Sequence, residues 1–87
     1  MSTADLIRQR LAVLEPETCT LEDESAQHKG HAGAASGGGH YRLTVVSPRF
    51  RNLSTLARHR LVYESMGELM QREIHALSIT ALTPEEL

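Results

Sequence analysis

The stretch F-R-N-L-S-T-L-A-R-H-R-L-V-Y-E-S-M-G-E-L-M-Q-R-E-I-H, residues 50–75, holds the longest helical pattern in the chain. Leu56, His59, Val62, Met66 and Leu69 recur at steps of three and four, with Tyr63 and Met70 flanking them, so the spacing predicts one apolar stripe on a helix. Asn52 or Ser54 can cap its start, because a short polar side chain accepts a hydrogen bond from a free backbone N–H. Gly67 and the Gln71-Arg72-Glu73 run predict that the helix ends or is remade near residue 70.

Working outward, H-Y-R-L-T-V-V-S (residues 40–47) is the clearest strand, with Tyr41, Leu43 and Val45 on one face and Ser47-Pro48 ending it. I-H-A-L-S-I-T-A-L (residues 74–82) reads as a further strand, in which Leu77, Ile79 and Ala81 share the face that His75 begins. A long helix between two strands is a crossover, so these two are expected to be parallel. C-T-L-E-D (residues 19–23) alternates like a half-buried strand, and it should pair antiparallel with 40–47. Cys19 reads as a small packed strand residue. Ser2 to Leu14 reads as a short helix with Leu6, Ile7, Leu11 and Leu14 inward, an S-T-A-D capping arrangement at its start and Pro16 at its end. Thr83-Pro84-Glu85-Glu86 is a helix-start signal, with room for a single turn before Leu87. The expected fold is α+β: a three-stranded mixed sheet with helices packed on one face, in one domain spanning residues 1–87.

Residues 24–39 break every pattern, and 30–39 hold five of the six glycines, so this segment is expected to be a flexible loop. It carries His28 and His31, an H-x-x-H pair, with His40 just past its end. The glycine run leads into a strand and not into a helix N-terminus, so it does not form a phosphate cradle.

The chain has 87 residues and a formal net charge of −2. A chain of this size buries roughly 60–65% of its unfolded surface and supports one modest core. Near-neutral charge argues against a strong nonspecific grip on nucleic acid, although a local patch can still provide one. Arg49, Arg51, Arg58 and Arg60 form such a patch, with His59 on the apolar stripe among them. It reads either as a solvated helix face or as a surface for DNA phosphates or for the carboxylates of a protein partner. A single cysteine excludes an internal disulfide framework and a self-contained four-cysteine metal site. No run of about 18 apolar residues and no signal peptide is present, so a soluble, cytoplasmic protein is expected. No enzyme motif is found.

D-E-S-A-Q-H, H-Y-R-L-T-V-V-S-P-R-F, L-A-R-H-R-L-V-Y-E-S-M and I-H-A-L-S-I-T-A-L-T-P-E-E, in this order and spacing, resemble the BolA family over nearly the whole chain. The resemblance implies the order αββααβα, similar to a class II KH domain. It also implies a non-enzymatic partner of monothiol glutaredoxins that shares a [2Fe–2S] cluster with the glutaredoxin and glutathione. The alternative it implies is a DNA-binding transcriptional regulator linked to stress response and cell morphology. The histidine of I-H-A-L, a cluster ligand in the family, maps to His75. The loop ligand maps to His28, with His31 as the alternative; His40 is the weaker candidate. Asn52 stands where the family usually has glycine. Alone, the protein is expected to be a monomer or a weak homodimer.

Overall fold

Ser2 opens the first helix, α1 (Thr3–Leu11): its hydroxyl accepts a hydrogen bond from the Asp5 N–H, and the Asp5 carboxylate accepts one from the Ser2 N–H. The structure is a computed structural model that describes residues 1–24 and 39–87. A 3₁₀ turn, Ala12–Leu14, tightens the helix end, and Glu15 at φ 49° stops it ahead of Pro16.

Three strands follow: β1 (Thr18–Asp23), β2 (Gly39–Val46) and β3 (Ile74–Leu82). They form one sheet in the order β1-β2-β3, antiparallel between the first two and parallel between the last two. Tyr41, Leu43 and Val45 are buried on the inner face, opposite Asp23, Leu21 and Cys19 of β1 and Leu77, Ile79 and Ala81 of β3. Ile7, Leu11, Leu14, Phe50, Val62, Met66 and Leu69 close over that face. Thr20, Glu22, Arg42, Ser78 and Thr80 are exposed on the other side, so the helices lie on one face as expected. Truncating any fully buried leucine or isoleucine of this core costs about 2–5 kcal/mol.

The crossover is built from a 3₁₀ turn (Pro48–Phe50), then α2 (Thr55–Met66) and the one-turn α3 (Leu69–Arg72). Ser47 is fully buried; its hydroxyl donates to the Leu14 carbonyl and accepts from the Arg49 N–H. Of the two cap candidates Ser54 is the one used, its hydroxyl accepting from the Ala57 N–H at 3.1 Å. Asn52 takes the left-handed conformation at φ 65°, which asparagine tolerates. Gly67, at φ 57°, separates α2 from α3.

The helix stripe is corrected at its front. Val62, Met66 and Leu69 are buried, but Leu56 is 61% exposed, Tyr63 is 41% exposed, and His59 is only half-buried. The inward row runs instead through Arg58, Val62, Met66 and Leu69. Arg58 occupies its first place because its guanidinium donates to the Leu53 and Ala81 carbonyls, each at 3.0 Å. Leu56, His59 and Tyr63 also recur at three and four, so periodicity alone does not tell the two faces apart.

The last turn, Pro84–Glu86, begins with a full capping box between Thr83 and Glu86. The final element of the αββααβα order is therefore a single 3₁₀ turn.

Candidate functional site

His75 is placed by an irregularity in the sheet. Gly39 pairs with Ile74 and His40 with Ala76, so β3 carries one more residue than β2 at this point, and that residue is His75. The extra residue breaks the alternation: Ile74 is buried, His75 and Ala76 are both exposed, and Leu77 returns to the inner face. His75 therefore does not share the face of Leu77, Ile79 and Ala81, as an uninterrupted strand would require. Its ring stands on the open side, 4.9 Å from the ring of His40 and tilted at 44° to it.

The neighbourhood is fixed from several directions. The Gly39 N–H donates to the Glu73 carbonyl at 3.0 Å, and the Glu73 carboxylate accepts from the Thr3 hydroxyl at 3.0 Å, which ties the start of α1 to the start of β3. The Tyr41 ring lies against the backbone at position 39: a Cβ added there would sit 2.3 Å from Tyr41 Cε2. Only glycine fits without moving the ring. On the other side, the Glu24 N–H donates to the His40 carbonyl at 2.7 Å, and the Glu24 carboxylate pairs with Arg42 at 3.2 Å. The two ends of the 25–38 segment, Glu24 and Gly39, thus flank His40 at the same end of the sheet as His75. His28 and His31 lie outside the described residues.

The basic residues are placed differently. Arg49 pairs with Glu15. Arg51 pairs with Glu85 through both oxygens, with Nε at 2.7 Å from Oε1. Arg58 pairs with Glu86 at 2.6 Å, its side chain only 13% exposed. The arginine hydrogen bond, helped by the Thr83 backbone and hydroxyl, holds the Glu86 carboxyl well below the ordinary carboxylate range, at about 2. Glu85 is lowered by Arg51 in the same way. Arg60 is exposed and makes no ion pair among the described residues. The sequence shows four clustered cations; the structure supplies carboxylates to three of them, from 28 to 34 residues away along the chain.

Cys19 is half-buried, and burial pushes its thiol pKa up against the opposing pull of Arg8, so it is a poor source of thiolate. Among the described residues no group of three or more His, Cys, Asp or Glu side chains converges to hold a metal ion. What this end of the sheet offers is an exposed imidazole beside a half-buried one. Sequence reasoning does not foresee that the His40 ring lies beside that of His75. The trace it leaves is the odd spacing of Ile74 and Leu77, two apolar strand residues three apart, which signals an inserted residue between them.

The structure is thus a small α+β domain: a mixed three-stranded sheet covered on one face by helices, with a histidine on a strand irregularity at its open end. The chain belongs to the BolA-like protein family, whose family model matches residues 11–86. Mouse BolA-like protein 1 is 44% identical over 81 residues, covering 92% of this chain and 57% of that protein. The DNA-binding transcriptional regulator BolA of Haemophilus influenzae is 32% identical over 87 residues, covering 99% of this chain and 82% of that protein. The solved BolA domain of SufE1 from Arabidopsis thaliana superposes with a TM-score of 0.87 at 39% identity, covering 100% of this chain and 98% of that one. This chain thus spans little more than half the length of the mouse relative. No helix among the described residues is long and apolar enough to cross a membrane.

Proposed function

We propose that this chain is a non-enzymatic partner of a monothiol glutaredoxin in iron–sulfur and iron homeostasis, acting in the cytoplasm. His75 and a histidine of the 25–38 segment, His28 with His31 as the alternative, ligate one side of a shared [2Fe–2S] cluster. The glutaredoxin cysteine and glutathione supply the sulfur ligands. Two imidazoles on one iron and sulfur on the other is the distribution of a Rieske centre. The observation that carries the reading is the exposed His75 imidazole at the end of the sheet where the 25–38 segment departs and returns.

The test is reconstitution. The chain is mixed with a monothiol glutaredoxin, iron, sulfide and glutathione, and the visible absorption and circular dichroism are compared with those of the glutaredoxin homodimer. A distinct spectrum that reverts to the homodimer's in His75→Ala supports the reading; a spectrum unchanged by that substitution overturns it.

A different reading, a DNA-binding regulator of stress response and cell morphology, is favoured by the name of the H. influenzae relative and by Arg60, which is exposed and outside every ion pair among the described residues. With Arg49, Arg51 and Arg58 held by carboxylates, few phosphate contacts remain. Any affinity for duplex DNA should therefore fall only shallowly with salt, each lost contact removing about 0.9 from the slope of log K against log salt.

A further inference from the structure

The geometry points to His40 as the positioning residue for the His75 imidazole, a role that rests on the cluster-ligand reading of His75. At the irregularity, two residues of β3 stand opposite one residue of β2, and the register passes from Ile74 to Ala76. His75 therefore has no cross-strand partner of its own in the ladder. An exposed strand side chain in that situation is free to sample rotamers, and a ligand that must be found among several rotamers binds more weakly than one held ready. The His40 ring fills the missing place. Paired in register with Ala76, next to the inserted residue, His40 is itself half-buried, and its ring lies 4.9 Å from the His75 ring at a 44° tilt, an ordinary geometry for paired rings.

His40 is in turn held from both sides. Its carbonyl accepts from the Glu24 N–H, and the residue before it is pinned to Glu73 and overlaid by Tyr41. The half-buried ring of His40 therefore steers, while the exposed ring of His75 ligates. Residues that orient a ligating histidine typically change metal affinity by about 10- to 100-fold when replaced.

The test separates this role from the cluster reading by starting with the full chain alone, without iron. Threonine already stands at positions 20, 44 and 80 on the same face of the sheet, so His40→Thr removes the ring with little threat to folding; His40→Phe keeps a ring. In wild type and in His40→Phe, NMR couplings and chemical shifts of the His75 side chain should report one dominant χ1 rotamer. In His40→Thr they should report averaging over two or three. Reconstituted with glutaredoxin, His40→Thr should then lose cluster about tenfold faster than wild type, and His40→Phe within about twofold of it. A single His75 rotamer in His40→Thr, or averaging already present in wild type, overturns the proposal. If wild type gives no His75-dependent spectrum, the cluster reading falls, while the rotamer comparison still decides whether His40 positions His75.

Discussion

The two ends of the sheet treat charge and polarity in opposite ways. At one end, Glu85 and Glu86 fold back over the start of the crossover and bind Arg51 and Arg58, Glu86 being held in a capping box by Thr83; Arg58 also meets the Leu53 and Ala81 carbonyls. At the other end, about 20 Å along β3, the ladder slips by one residue and turns an imidazole out to solvent. By sequence the arginine-rich end reads either as a solvated helix face or as a binding surface; in the structure three of its four arginines are held by carboxylates. The histidine end is singled out in the sequence by the family resemblance at His75, and there the structure leaves an imidazole exposed. A cluster of like charges says where charge is, whereas its availability depends on partners that arrive from distant parts of the chain.

The sharpest way to break this contrast is a crossed pair of substitutions. His75→Ala should abolish the part of the reconstituted spectrum that differs from the glutaredoxin homodimer, while stability in urea changes by less than about 0.5 kcal/mol, as expected for an exposed side chain. Arg58→Ala should do the reverse. It leaves the Leu53 and Ala81 carbonyls without their donor and should cost about 1–3 kcal/mol of stability with the spectrum intact. If Arg58→Ala is neutral in stability, or His75→Ala destabilises strongly, the division of labour between the ends is wrong.

Gly39→Ala comes next, and it sharpens the description of the open end. The added methyl would meet Tyr41 Cε2 at 2.3 Å, and the ring is only 7% exposed, so either the ring leaves the core or β2 shifts. Overpacking of this kind costs about 1–3 kcal/mol. Combining it with Tyr41→Leu, which removes the part of the ring that clashes, should recover part of the loss, measured as a coupling in a double-mutant cycle.

How much of this is legible in the sequence follows the physics of each element. The sheet order and both strand directions are readable because alternation and connection length constrain them strongly; Tyr41, Leu43 and Val45 are buried as their spacing requires. The caps at Ser2, Ser54 and Thr83 are equally readable, being local chemistry. The front of α2 misleads, because Arg58 takes an inward place through hydrogen bonds to carbonyls that no periodicity encodes. His75 is legible as a residue of interest through the family resemblance. Its outward aim is not, since one inserted residue inverts the face of everything before it.

Acid should distinguish the ends more gently. The Glu86 carboxyl titrates at about 2 in the folded chain against an ordinary 4.5. A depressed folded value means that the Arg58–Glu86 contact contributes its full stabilisation above about pH 4.5 and loses it as pH falls towards 2. Glu85 shifts in the same direction. Urea midpoints measured across that window should fall with acid in wild type and fall less steeply in Glu86→Gln. Parallel curves for the two proteins would show that the contact does not form in solution.

The smallest effect concerns the face that periodicity assigns wrongly. Leu56 belongs by spacing with Val62, Met66 and Leu69, and a buried leucine there would make its loss costly. The structure instead leaves it 61% exposed, on the side of α2 opposite the row that Arg58 begins. Leu56→Ser removes apolar surface that is already mostly wet, at a helix position where serine's lower propensity is a matter of tenths of a kcal/mol. The expected change is within about 0.5 kcal/mol in urea unfolding. A loss of about 2 kcal/mol or more, the range of a buried leucine, would mean that α2 sits rotated, with Leu56 inward and Arg58 swung out. Arg58 would then be a free cation beside Arg60, and the contrast between the two ends would weaken with it.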